Sequence, residues 1–271
     1  MKVLKWIGIV LGSLLGLVLV AGVVLYFMGD ASVTASHGDE VFEASALGTA
    51  DVERGKYLVE DLVGCTGCHG DDLSGVEDLM FEFEGQASPM GVLPAPNLTP
   101  NGVAGNMDTD GWVRALRHGV GNDGRGLIIM PSSGFATLSA DDLASMIAYL
   151  ETIPPAGEPV GGRSISTLGK IVLAAGMFPD EYKLSQGVEQ VEVPRAATAE
   201  YGAYLAGITC FDCFWDLSDW SEDDFRRVVR EGVLPDGSPV EPSDPDAAPW
   251  ANLDSVDVDA MWAYVEDEYK S

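Results

Sequence analysis

The chain has 271 residues, 46% of them apolar, which is enough for two domains of ordinary size plus a membrane segment. Its 43 acidic residues against 15 basic ones give a formal net charge of -28, which excludes nucleic-acid binding through a basic surface. The acidity is spread along the soluble part, so it serves solubility first and attraction of a basic partner second.

Residues 6–28 run without a charge and are rich in Leu, Val, Ile and Gly. Such a run crosses a ~30 Å hydrocarbon core as one helix. Lys2 and Lys5 precede it while Asp30, Asp39 and Glu40 follow, so the positive-inside rule places the N-terminus in the cytoplasm and the rest on the periplasmic side. A cleaved signal peptide with a site near Val33-Thr34-Ala35 is the competing reading, disfavoured because the run exceeds the usual 7–15-residue apolar region of a signal. Residues 1–30 are thus expected to be a transmembrane anchor. Residues 31–48 are polar and of low complexity, which predicts a flexible tether with a solvated His37.

The first folded unit is expected at residues 49–155. A helical pattern over 51–59 leads into Cys65-Thr66-Gly67-Cys68-His69. This is the C-x-x-C-H motif for covalent haem, in which two thiols add to the vinyl groups and the adjacent imidazole binds iron. Gly- and Pro-rich loops follow, then a short helix over 110–118, then a last helix over 141–150 with apolar residues at i, i+3, i+4 and i+7 before Pro154-Pro155. No period-two strand run appears, so the fold class is all-α with long loops.

Several further segments carry a family resemblance: Arg54-Gly55-Lys56-Tyr57-Leu58, Pro96-Asn97-Leu98-Thr99-Pro100, Trp112 to Val120, Asp123-Gly124-Arg125 and Met130-Pro131. With the haem motif they make this unit resemble a class I cytochrome c, close to the membrane-associated multihaem cytochromes that accept electrons from periplasmic dehydrogenases. The resemblance implies one haem c attached through Cys65 and Cys68 and ligated by His69 and Met130. A thioether favours ferrous iron and raises the potential. With both axial positions filled no open site remains, so the expected role is electron transfer rather than catalysis. His118 is read as a residue stabilising a helix C-terminus, and Asn97, Thr99, Trp112 and Arg117 as groups near the haem edge or propionates.

Residues 156–198 form a linker whose apolar stretch, 168–178, is too short to span a bilayer and is expected to pack across the domain interface, with contact to the membrane or a partner subunit as the sharper alternative. Residues 199–271 then repeat the landmarks of the first unit: Tyr201 to Leu205 echo Arg54 to Leu58, Phe225 to Val233 echo Trp112 to Val120, and Leu253 to Val265 echo Leu138 to Leu150. An internal duplication is the simplest account. In this copy Cys210 and Cys213 persist, but Phe214 replaces the histidine and no methionine occupies the distal position. The segment that would wrap a haem is also cut from 43 residues to six before Trp220.

A haem-free second domain is therefore expected, its core rebuilt from Phe211, Phe214, Trp215, Trp220, Phe225, Trp250 and Trp262, with Cys210 and Cys213 as a disulfide or buried thiols. The whole reads as two tandem cytochrome-c-like domains behind an anchor. Its partners are then the membrane and a redox protein or membrane electron-transfer complex. Permanent residence in such a complex, with the second domain used for docking, is the alternative, and deletion of 196–271 is expected to spare the haem spectrum.

Overall fold

The computed structural model describes residues 2–40, 42, 47–78, 88–212, 216–240 and 250–270. Among them helices dominate, and the one sheet is a two-stranded antiparallel pair, β1 (Gly91–Val92) with β2 (Ser164–Ile165). Helix α1 (Lys2–Thr34) contains the apolar run. It is exposed at every position from 3 to 21 and is long and apolar enough to cross a membrane.

The first domain is framed by α2 (Val52–Tyr57) and α6 (Ala140–Leu150), which cross at a glycine. A Cβ at Gly55 would lie 1.9 Å from the Ser145 carbonyl oxygen, so only glycine permits this approach. The second domain repeats the crossing with α9 (Ala199–Thr209) and α11 (Ser255–Lys270), where a Cβ at Gly202 would lie 2.1 Å from the Ala260 carbonyl oxygen. Gly55→Ala is expected to force the helices apart and cost about 1–3 kcal/mol in chemical denaturation. An unchanged midpoint would show that the crossing is not tight.

Helices α4 (Thr109–His118) and α10 (Glu222–Glu231) complete the duplication. Both end on a glycine in the left-handed region, Gly119 (φ 61°) and Gly232 (φ 63°), and each is followed by a bridged turn, Val120 with Gly126 and Val233 with Pro239. The interior of the second domain holds Phe211, Leu217, Phe225, Trp250, Val258, Met261 and Trp262, all buried, with Phe211 edge-on to Phe225. Trp220 is half-buried; Cys213, Phe214 and Trp215 lie outside the described residues. Cys210 is disulfide-bonded, in accord with one of its two expected states.

Two segments differ from expectation. The described residues of the tether predicted for 31–48 are instead laid on the first domain: α1 continues to Thr34, the His37 amide donates to the Gly124 carbonyl at 2.6 Å, and Arg114 Nη1 donates to the Gly38 carbonyl. His37 is accordingly not solvated. Its ring stacks on Tyr182 at 3.6 Å and its Nδ1 meets Glu40 at 2.8 Å. Low sequence complexity hid this because most of the attachments are made by backbone groups, which composition does not register.

The apolar stretch of the linker also goes elsewhere. Helix α7 (Thr167–Ala174) packs against α1 rather than across the domain interface, with Gly29 so close that a Cβ there would meet the Lys170 carbonyl oxygen at 1.9 Å. Lys170 Nζ pairs with Asp30 at 2.6 Å and lies over the Tyr26 ring. A short helix, α8 (Glu181–Ser185), follows it.

The domain interface is polar, buried and reciprocal. Tyr57 of α2 donates to Asp257 of α11, while Tyr204 of α9 donates to Asp142 of α6 at 2.7 Å. These are the same two positions of the repeat, used in both directions, so the domains meet as a pseudo-two-fold pair. Arg54 forks onto Asp142 (2.9 and 3.0 Å) and reaches the Tyr201 hydroxyl at 3.1 Å; Arg195 forks onto Asp257 (2.9 and 2.7 Å).

Candidate haem site

The C-x-x-C-H motif occupies a helix of five residues, α3 (Cys65–His69), entered through Gly64 at φ 68°, a conformation costly to residues with a Cβ. Residues Leu58–Leu62 just before it form one π-helical turn, closed by Val63 N–H donating to the Leu58 carbonyl at 2.8 Å. Such insertions re-aim the chain locally and recur at functional sites. Here the turn joins α2, fixed by the Gly55 crossing, to the cysteine helix.

Cys65, Cys68 and His69 line a cavity of about 360 Å³ together with Leu98, Trp112, Leu116, Phe135, Met146 and Leu150. Met130 and Pro131 line the same cavity. The two motif cysteines are thiols, not a disulfide, and burial together with the neighbouring Cys68 sulfur pushes the Cys65 thiol up to about 12. His69 is buried; its Nδ1–H donates to the Pro96 carbonyl at 2.8 Å. That bond fixes the tautomer and leaves Nε2 with its lone pair available to a metal. Burial also holds the ring below the ordinary histidine range, opposed by the Pro96 bond, so the imidazole is neutral as ligation requires.

Met130 is set by two tight turns in succession. Its amide donates to the Ile128 carbonyl at 2.9 Å around Ile129, whose φ of 74° is a strained value for a β-branched residue. Ser132 N–H then donates to the Met130 carbonyl at 2.7 Å around Pro131, whose φ and ψ of -78° and 58° are those of an inverse γ-turn. Buried Ser132 anchors the far end by donating its hydroxyl to the Ala115 carbonyl of α4 at 2.8 Å. Leu73 and Cys210 also have positive φ, but Ile129 is the β-branched one of the three, and strain at the residue before a candidate ligand fits a functional constraint.

The donor set fits a covalent haem: two thiols and a neutral imidazole from α3, a thioether in the lining of the same cavity, and apolar side chains around them. Met107 and Met146 line the cavity as well, so methionine alone does not identify the ligand. The paired turns and the adjacent proline make Met130 the candidate among the three.

The remaining sequence candidates separate. Trp112 lies in the cavity wall. Asn97 and Thr99 instead pin the start of the linker: Asn97 Nδ2 donates to the Ala156 and Glu158 carbonyls and Thr99 Oγ1 to the Ala156 carbonyl. Arg117 is buried on α4 outside the cavity lining, its Nε and Nη1 without partners among the described residues. His118 ends α4 as expected, with its ring stacked on Phe42 at 4.3 Å rather than facing the cavity. Arg125, from the Asp123-Gly124-Arg125 segment, lines the cavity, and so does Arg163, which no sequence motif marks.

Comparison with known proteins agrees with this chemistry. Residues 50–150 match the family model described as cytochrome C oxidase, cbb3-type, subunit III. The chain is 31% identical over 253 residues to the cytochrome c subunit of alcohol dehydrogenase (quinone) from Gluconobacter oxydans, covering 75% of this chain and 50% of that protein. It is 25% identical over 228 residues to the gluconate 2-dehydrogenase cytochrome c subunit of Pantoea cypripedii, covering 67% and 51%. A shorter match, 33% over 114 residues, is to the fructose dehydrogenase cytochrome subunit of Gluconobacter japonicus. The chain spans about half the length of the first two relatives.

Proposed function

We propose, from the premise that residues 50–150 are a cytochrome c domain, that this chain is a membrane-anchored electron carrier on the periplasmic side, working through one haem c. The observation that carries the reading is the placement of His69 and Met130 on the walls of one apolar cavity that also holds both motif thiols. When bound, the haem supplies a one-electron couple. The chain's own residues do the rest: Cys65 and Cys68 fix the group covalently, the Pro96 carbonyl orients His69, and the two turns present Met130. With imidazole and thioether both supplied by the protein, no position is left for a substrate, which favours transfer over catalysis.

A single haem is supported by the second domain. Its interior is filled by Phe211, Leu217 and Trp262, and Cys210, as a disulfide, has no thiol to add to a vinyl group. A second reading, a fixed subunit of a dehydrogenase complex with the second domain as docking module, is favoured by the relatives, which are subunits of such dehydrogenases by name.

Intact mass and haem quantification of the membrane-extracted protein test these points together. The expected result is a chain that keeps residues 6–28 and carries one haem. Two haems per chain overturn the single-centre reading, and a chain beginning after residue 30 overturns the anchor.

A further inference from the structure

Helix α1 is longer than a bilayer needs. Its uncharged and fully exposed part, residues 6–21, is about 24 Å long at 1.5 Å per residue, most of the ~30 Å of a hydrocarbon core. From Gly22 on, one face of the helix is covered: Gly22, Leu25, Tyr26, Gly29 and Val33 are partly or wholly buried, and α7 is the helix packed there. Helix α7 therefore sits at the level where α1 leaves the apolar core.

The composition of α7 suits that level. Between residues 164 and 179 the single charge is Lys170, which is neutralised by Asp30 and lies over Tyr26. Leu168 is 46% exposed and Met177 72% exposed. A soluble surface has no need of an uncharged helix at that place, whereas a bilayer interface buries one with favourable transfer energy.

We propose that residues 167–178 lie in the membrane interface beside α1 as a second, in-plane contact with lipid, so that the haem domain stands in a fixed orientation on the bilayer. The inference rests on the reading of α1 as a retained anchor. The connection to the site is short. Leu173 and Phe178 of this segment share a small apolar cavity with Ile128 and Ile129, the residues just before Met130, and Asp180 bridges to Ile128. Arg163 adds a second tie, donating to the Val33 carbonyl of α1 and the Gly126 carbonyl beside the cavity. The Met130 side of the haem cavity is thereby held to the membrane base through α7.

The test uses the full haem-loaded chain in nanodiscs of phosphatidylcholine and phosphatidylglycerol, spin-labelled at Leu14→Cys, Leu168→Cys, Met177→Cys or Glu231→Cys. An unchanged haem spectrum confirms that each variant is folded. Collision with oxygen, which concentrates in lipid, is compared with collision with a water-soluble nickel chelate. The expected ratio of oxygen to nickel accessibility at 14, 168 and 177 is several-fold above that at 231. Labels at 168 or 177 that behave like 231 while 14 reports lipid overturn the proposal and leave the anchor standing. A water-exposed label at 14 overturns the anchor reading and this proposal with it.

Discussion

Met130→Ala is expected to abolish the sulfur-to-iron charge-transfer band of the oxidised protein and to lower the midpoint potential by on the order of 0.1 V, within the ~0.8 V range that axial ligands span. The cause is direct: a thioether stabilises ferrous iron, and alanine offers no donor. The ferrous variant should also bind carbon monoxide, because a coordination position is now open. Covalent attachment through Cys65 and Cys68 and the His69 bond to the Pro96 carbonyl are untouched, so haem content should be retained. Met107→Leu and Met146→Leu provide the contrast. Both side chains line the same cavity, and Met146 is fully buried in α6. Their replacement should cost less than about 1.5 kcal/mol of stability, as volume-conserving swaps do, and leave the band in place. A band that survives Met130→Ala and disappears in either control would move the ligand.

The candidate site was legible in the sequence because the chemistry of covalent haem attachment is local. Cys65, Cys68 and His69 share one short helix, and Met-Pro before the last helix left few rivals for the opposite position. The duplication was legible too, since Gly55 and Gly202 stand in matching helical patterns, and the structure shows why: both lie under a helix crossing. Long-range partners left no such trace. Nothing in the spacing says that Asn97 and Thr99 turn away toward Ala156, that residues 36–40 are sewn to the Gly124 turn by main-chain bonds, or that α7 chooses α1 over the second domain. The π-helical turn before Cys65 was equally silent, because one inserted residue does not disturb a 3.6-residue pattern enough to be seen.

The reciprocal interface changes what removal of the second domain should do. Residues 196–271 were expected to be dispensable for the haem spectrum, yet Tyr57 on α2 and Asp142 on α6 each place a polar group against that domain, and α2 leads into the cysteine helix. Deletion strips partners from the two helices that frame the haem site, so it should lower the thermal stability of the haem domain even where the spectrum at room temperature is kept.

A sharper version is Asp257→Ala, which removes one carboxylate, takes the acceptor from the Tyr57 hydroxyl and leaves Arg195 with Asp254 alone. Asp257 is fully buried and accepts from Arg195 through two nitrogens and from Tyr57, with Arg54 4.0 Å away. Breaking a buried pair from one side typically costs about 3–5 kcal/mol. Arg195 retains 36% exposure and can be rehydrated, which argues for the lower end, about 3 kcal/mol. The pH dependence carries a sign. Burial alone would raise the Asp257 carboxyl, but the bonds from Arg195 and Tyr57 outweigh it and hold the group below the ordinary carboxylate range. A depressed carboxylate stabilises the fold above its unfolded value of about 3.9 and loses that contribution as pH falls through the folded value. Asp257→Asn, which keeps the volume and removes the charge, should therefore be less stable than the parent at pH 7, and the difference should shrink below about pH 4. Denaturant midpoints measured at pH 7 and pH 3 check both statements, and a gap that stays constant between the two would show that the carboxylate is not ionised at the interface.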